Sequence, residues 1–214
     1  MPVMIAVIDY GMGNLRSVVK GFEKVGVAAE VTGDPAAVRA ADGVVLPGVG
    51  AFGMAMEHLC AAGLDAVIKE VVAAGTPFLG ICLGLQLLFT ESEEFGPVRG
   101  LDILPGRVVR FFPDGAPAGV KIPHMGWNGI EILRPVPALE DVPDGSYVYF
   151  VHSYYVAPDD PTIIATTTEF GGQPFVSSVA AGRLFASQFH PEKSGEVGLR
   201  ILRSFGSIVE GTRA

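Results

Sequence analysis

The chain has 214 residues, 49% of them hydrophobic, which is ample material for a buried core and excludes a disordered chain. Its 15 basic and 23 acidic side chains give a net charge of −8. That balance leaves no electrostatic footprint for nucleic acid and little attraction to an anionic membrane surface. Two cysteines build neither a disulfide framework nor a four-thiolate zinc site, so Cys60 and Cys82 read as thiols in a reducing compartment. The start, MPVMIAVIDYG, lacks the basic n-region and cleavage site of a secretory signal. Residues 71–89 are apolar enough to suggest a membrane span, but Pro77, three glycines and Gln86 interrupt them. They read instead as a helix end, a buried strand and a second helix.

VMIAVID (3–9) is a continuous apolar run and predicts a strand buried on both faces of a parallel sheet. Asn14 stands where it can cap a helix over 15–25, closed by Gly26. VAAEVT (27–32) and GVVLPG (43–48) predict two more strands, and a helix follows over 54–74. FLGI (78–81) predicts a fourth strand, and LGLQLLFT (83–90) the start of another helix. Strands alternating with helices imply right-handed βαβ units and a parallel sheet. Beyond residue 100 come short β-rich runs: RVVRFF (107–112), YVYFVHSYY (147–155), TIIATTT (162–168), FVSSVAAG (175–182) and LFASQFH (184–190). These predict antiparallel or mixed strands that extend one side of the sheet. A final amphipathic helix over 195–209 carries Leu199, Leu202, Phe205 and Val209 on one face. No repeat or linker divides the chain, so residues 1–214 read as one domain.

Gly80-Ile81-Cys82-Leu83-Gly84 has the form G-x-C-x-G at a strand-to-helix junction, the thiol version of a nucleophile elbow. A nucleophile on a sharp turn has strained backbone angles, and glycines on either side let neighbouring backbone pass close by. A helix start behind Cys82 favours the thiolate, and the N–H of Leu83 points where an oxyanion forms. The plainer reading is a buried structural thiol, which suits Cys60, placed by its pattern in helix packing. A nucleophilic thiol needs a base, and of His58, His124, His152 and His190 only His190 has a carboxylate placed to orient it. His190 and Glu192 flank Pro191, so on an extended segment both point to one face. The set has the logic of nucleophile, base and orienter.

Together these motifs resemble the class I, triad-type glutamine amidotransferases. G-x-C-x-G, H-P-E and an earlier Gly-rich loop, Pro47-Gly48-Val49-Gly50, stand in family order. Six blocks, DYGMGNL (9–15), LPGVGAFG (46–53), GICLGLQLLF (80–89), PHMGWN (123–128), YFVHSYY (149–155) and QFHPEKS (188–194), are similar to the glutaminase subunits of imidazole glycerol phosphate synthase. The least family-like stretch, 112–121, reads as a surface loop.

The resemblance implies a flavodoxin-like three-layer α/β sandwich, its mostly parallel sheet extended by antiparallel strands in the C-terminal half. It implies hydrolysis of glutamine to glutamate and ammonia by Cys82, His190 and Glu192. The oxyanion would rest on N–H groups of Leu83 and of Val49 or Gly50. Gly50, Gln86 and the backbone at Ser153 and Tyr154 would hold glutamine. The ammonia would pass to a separate (β/α)8-barrel cyclase subunit that makes imidazole glycerol phosphate and an aminoimidazole carboxamide ribotide for histidine biosynthesis. Asn14, Trp127, Tyr149 and Lys193 would face that partner. No cofactor, metal, nucleic acid or membrane is called for, and the cytoplasm is the expected location. Tyr147 and Phe150 read equally well as core packing. The competing readings are the glutaminase of another triad amidotransferase (anthranilate or pyridoxal phosphate synthase), a silent binding module and a thiol peptidase.

Overall fold

The structure, a computed structural model, describes residues 3–212. The first half winds as β1 (Ile5–Ile8), α1 (Leu15–Lys24), β2 (Ala29–Thr32), α2 (Pro35–Ala40), β3 (Gly43–Gly48), α3 (Phe52–Ala61), α4 (Leu64–Ala73), β4 (Phe78–Cys82) and α5 (Leu83–Gln86). The second half adds β5 (Phe89–Ser92), β6 (Val98–Arg99), β7 (Leu104–Arg110), β8 (His124–Gly129), β9 (Glu131–Ile132), β10 (Tyr147–His152) and β11 (Tyr154–Pro158). It closes with β12 (Ile164–Phe170), β13 (Gln173–Ala181), β14 (Leu184–Ser187) and α6 (Gly195–Glu210).

Ten strands lie in the order β2-β1-β3-β4-β14-β13-β11-β7-β5-β6, with β12 on β13 and β9 on β12. The first five are mutually parallel, and antiparallel pairing begins where β13 meets β14. Strands β1, β3 and β4 are buried at every residue because helices cover both faces of the sheet. One face packs Phe52, Leu59, Leu64, Ile68 and Phe78; the other packs Phe22, Phe150, Phe189, Leu202 and Phe205. This is the expected flavodoxin-like sandwich. Among the described residues no helix is long and apolar enough to cross a membrane.

Several local expectations change. Asn14 occupies the N-cap of α1 but its side chain makes no capping bond; its carbonyl takes the N–H groups of Ser17 and Val18. The sequence reading missed α2, a single short helix that Asp34 caps by accepting the Ala36 N–H at 3.0 Å, with Pro35 in its first turn. The helix over 54–74 is two helices, divided where Gly63 takes a left-handed φ of +66°. The helix over 83–90 is one turn, and Phe89 already opens a strand. A fully buried apolar run has no helical period to distinguish the two states. On α6, Ile201 is buried where Leu199 is only half-buried.

The largest departure falls on YVYFVHSYY. It splits at Ser153 into β10 and β11, which belong to different sheets. Among the described residues β10 pairs with β8 alone, in a separate two-stranded ribbon with Tyr149 opposite Trp127. β11 joins the main sheet beside β7.

The glycines of the elbow are set by contact. A Cβ on Gly84 would lie 1.8 Å from the Leu46 carbonyl oxygen, and one on Gly80 2.9 Å from the Ala186 Cβ. α5 therefore sits directly against β3 and β4. Replacing Gly84 with Ala is expected to cost about 3 kcal/mol through overpacking against backbone. In thermal unfolding this lowers Tm by roughly 6–12 °C, and an unchanged Tm refutes the packing argument.

Candidate active site

Cys82 ends β4 at φ 56° and ψ −107°, a conformation few non-glycine residues adopt. Such strain costs roughly 1–3 kcal/mol and persists only where its surroundings over-determine it. Gly48 supplies part of that surrounding: a Cβ there would lie 2.7 Å from the Tyr10 hydroxyl and 2.8 Å from the Leu83 Cβ. The thiol is buried, with its sulfur 3.9 Å from the Val151 carbonyl and 3.6 Å from Gln188 Nε2.

His190 and Glu192 meet, though not by the extended route. Residues Pro191–Lys193 form a 3₁₀ turn, and the turn brings Glu192 Oε1 to 2.8 Å from His190 Nδ1. Ser194 Oγ–H donates to the His190 carbonyl at 2.6 Å and accepts the Tyr149 N–H at 3.0 Å, locking the turn. Both side chains are essentially excluded from solvent, at 2% and 1% exposure. His190 Nε2 is buried without a well-formed hydrogen bond, which leaves it to exchange a proton with Cys82. Burial opposes charge on His190. The proximity of Cys82 and the hydrogen-bonded Glu192 carboxylate outweigh it and push its pKa up to about 10. The pair therefore favours imidazolium beside sulfur at neutral pH. The one-turn α5 is too short to supply much of a helix field, so His190 is the principal cation facing Cys82.

A cavity of about 400 Å³ opens over the sulfur. It is lined by Val49, Gly50, Cys82, Leu83, Gln86, Glu94, Pro123, Val151, His152, Ser153, Tyr154 and His190. It thus brings together every residue expected to bind glutamine or form the oxyanion hole. Gln86 Nε2 donates to the Tyr154 carbonyl and to Gln188 Oε1, both at 3.0 Å. Both amide hydrogens are used, so Gln86 can offer a ligand only its carbonyl oxygen. Gly50 has a φ of +98°, and the Met12 methyl lies against it. The Tyr10 hydroxyl donates to the Pro47 carbonyl at 2.9 Å, anchoring the start of that loop.

The sequence reading missed Glu94, Gln188 and Tyr10. Gln188 stands inside QFHPEKS, two residues before the base, and parity along an extended segment was the available signal. Glu94 had none: its position depends on Oε2 accepting the Phe52 N–H at 2.7 Å, across 42 residues of chain.

Of the expected interface residues, three cluster. Trp127 is 54% exposed, its ring 6.2 Å from Tyr149 edge-on, and Lys193 Nζ lies 5.9 Å over the Tyr149 ring. Asn14 follows Gly13, where a Cβ would face the Pro47 ring. Cys60 is exposed on α3 rather than packed, because its helix turns that side outward. Phe150 is buried, whereas Tyr147, at the outer end of the ribbon, is 63% exposed and not core. Among the described residues no group of three or more His, Cys, Asp or Glu side chains is placed to share a metal ion.

Fold and site define a Cys–His–Glu protein with its nucleophile elbow on a flavodoxin-like sheet. Residues 6–207 match the family model for class-I glutamine amidotransferase. The chain is 58% identical to the imidazole glycerol phosphate synthase subunit HisH of Syntrophotalea carbinolica, covering 96% of this chain and 100% of that one. It is 53% identical to the protein of the same name from Moorella thermoacetica, over 96% and 95% of the two chains. A chain of the PurLQS structure from Thermotoga maritima shares the fold, with a TM-score of 0.73 at 15% identity over 100% of both chains. The chain belongs to the class-I glutamine amidotransferase family, among the relatives named as HisH subunits.

Because Cys82 is a main cause of the raised His190 pKa, a Cys82→Ala chain is expected to titrate His190 at lower pH. The imidazole resonances of the unaltered chain should stay in the charged form past pH 8 and move near pH 10. Following the same resonances through a pH series of both chains checks this, and coincident midpoints refute the coupling.

Proposed function

We propose that this chain is the glutaminase subunit of an imidazole glycerol phosphate synthase in histidine biosynthesis. It hydrolyses glutamine and delivers the ammonia to a (β/α)8-barrel cyclase subunit. The observation that carries the reading is the buried His190–Glu192 bond set against Cys82 on a strained elbow. The HisH relatives, matched nearly end to end, favour this synthase over an anthranilate or pyridoxal phosphate synthase.

The Cys82 thiolate attacks the side-chain amide carbon of glutamine. A C–S bond forms, and the carbonyl electron pair moves to oxygen. The N–H of Leu83 and an N–H of Val49 or Gly50 receive that oxyanion. The pair returns, the C–N bond breaks, and His190 gives its Nε2 proton to the departing nitrogen, which leaves as ammonia. His190, now neutral, takes a proton from water as the water attacks the thioester. The C–S bond breaks, glutamate leaves, and thiolate and imidazolium are restored. Glu192 accepts the Nδ1–H throughout and fixes the tautomer. Gly50, Gln86 and the backbone at Ser153 and Tyr154 hold glutamine. Glu94, which lines the cavity, is the acidic residue that matches the α-ammonium group.

Residues 1–214 act as one amidotransferase domain in the cytoplasm, paired with the cyclase as a heterodimer. Trp127, Tyr149, Lys193 and Asn14 form the docking face. The chain's net charge of −8 leaves binding of the phosphorylated nucleotide to the partner.

Reconstituted with the cyclase, Cys82→Ala should abolish glutamine-dependent product formation and leave the ammonium-dependent reaction intact. Glu192→Gln should lower glutamine-dependent kcat by about 10²–10⁴-fold, as expected for a base held in the wrong tautomer. Retention of glutamine turnover in the Cys82→Ala complex would refute the reading.

A further inference from the structure

Two buried histidines remain outside this chemistry. His124, on β8, and His152, at the end of β10, are paired across the ribbon and are 4% and 6% exposed. His152 Nδ1 lies 2.8 Å from the Tyr154 carbonyl, and His152 Nε2 lies 3.0 Å from His124 Nδ1. His124 Nε2 lies 3.3 Å from Asn128 Nδ2. The Asn128 amide is itself oriented: Nδ2 donates to the Glu169 carbonyl and Oδ1 accepts the Gly129 N–H, both at 2.8 Å.

These contacts fix every proton. A carbonyl only accepts, so His152 Nδ1 carries hydrogen. At the other end Asn128 Nδ2 only donates, so His124 Nε2 is bare. The nitrogens between them form one bond and share one hydrogen. A neutral His152 has a bare Nε2, which accepts from His124 Nδ1–H. An added proton would set N–H against N–H at one junction. Burial also pushes both histidines down, His124 to about 4 and His152 to about 3, in keeping with two neutral rings. The His124 ring is clamped by stacking on Phe150 and Phe170, with centroids 4.8 and 4.2 Å away.

The relay ends on a particular acceptor. The Tyr154 carbonyl also takes a hydrogen of Gln86, and Ser153 and Tyr154 line the cavity. Ser153 is the corner where the chain passes from the ribbon into the main sheet, and it falls between the two ladders, after His152 pairs with His124 and before Tyr154 pairs with Arg110. We propose that Asn128, His124 and His152 form a one-tautomer relay that fixes the Ser153–Tyr154 backbone, making His124 and His152 positioning residues for the amide substrate. The assignment of that backbone to glutamine rests on the function proposed above. The outward residues of β8, Met125 and Trp127, alternate with the relay's His124 and Asn128. The relay therefore starts beneath the exposed apolar side of the ribbon and ends at the cavity.

Two measurements test it. Long-range ¹⁵N–¹H correlation on the full chain at pH 7 should show His124 and His152 as neutral Nδ1–H tautomers. Neutral imidazole in water prefers Nε2–H, so a charged ring or an Nε2–H tautomer at either position overturns the relay. In the complex with the cyclase, His124→Phe keeps the stacked ring but deletes the bonds. It should raise KM for glutamine about tenfold, with kcat within about threefold and the ammonium-dependent reaction unchanged. Equal KM in the two complexes overturns the positioning role, as does an equal fall in kcat and kcat/KM. A wild-type complex that fails to hydrolyse glutamine refutes the functional reading instead, and the tautomer measurement still decides the relay.

Discussion

A cysteine at φ 56° has to be held there, and most of the site follows from how that is done. The reversal at Cys82 works only if α5 folds back onto the sheet at backbone distance. Gly84 against the Leu46 carbonyl, Gly80 against Ala186 and Gly48 against Leu83 leave no room for side chains. The glycines flanking the thiol are thus neither mobile elements nor decoration. They permit a contact that a single methyl group would prevent, and the contact keeps Cys82 out of a relaxed strand conformation.

Once the elbow is fixed, sheet topology supplies the rest. β1, β3, β4 and β14 are parallel neighbours in that region, so their carboxyl ends open on one side. Tyr10 follows β1, the Gly48–Gly50 loop follows β3, Cys82 ends β4, and Gln188 and His190 follow β14. Residues more than a hundred positions apart converge because the ladder aligns Gly48 with Cys82 and Ser187 with Ile81. This is the general location of ligand sites in open parallel sheets. It also explains the electrostatics. The same convergence buries His190 and Glu192 away from water, where a paired charge is felt strongly and an unpaired one is costly.

Where side chains are specified locally, the sequence was readable. The elbow, the H-P-E motif and the buried strands each contain their own reason within five or ten residues. Legibility failed where the deciding partner is remote or the pattern carries no period. Glu94 is held at the cavity wall by its bond to the Phe52 N–H, and the apolar run after Gln86 becomes a strand because Phe89 pairs with Leu104. The H-P-E pair was found for a reason that proved wrong in detail: a 3₁₀ turn, not an extended segment, joins its two side chains. Short spacing left both routes open. The split of YVYFVHSYY was equally invisible, because alternation reads the same in two sheets as in one.

The ribbon formed by that split sets the site's balance between rigid and movable parts. Cys82, His190 and Glu192 lie in strands and a locked turn and are buried. At the Ser153–Tyr154 corner the chain changes sheets, and its carbonyls take hydrogen bonds from Phe111, His152 and Gln86. Opposite it, the Tyr10 hydroxyl holds the Pro47 carbonyl, but Val49 is 39% exposed and Gly50 carries a φ of +98°. Substrate backbone contacts are therefore braced from within, whereas the oxyanion loop is braced only at its start. With His190 already favoured as the imidazolium, the charge yet to be stabilised is the one on the substrate oxygen. The least constrained wall of the cavity is the one that must meet it.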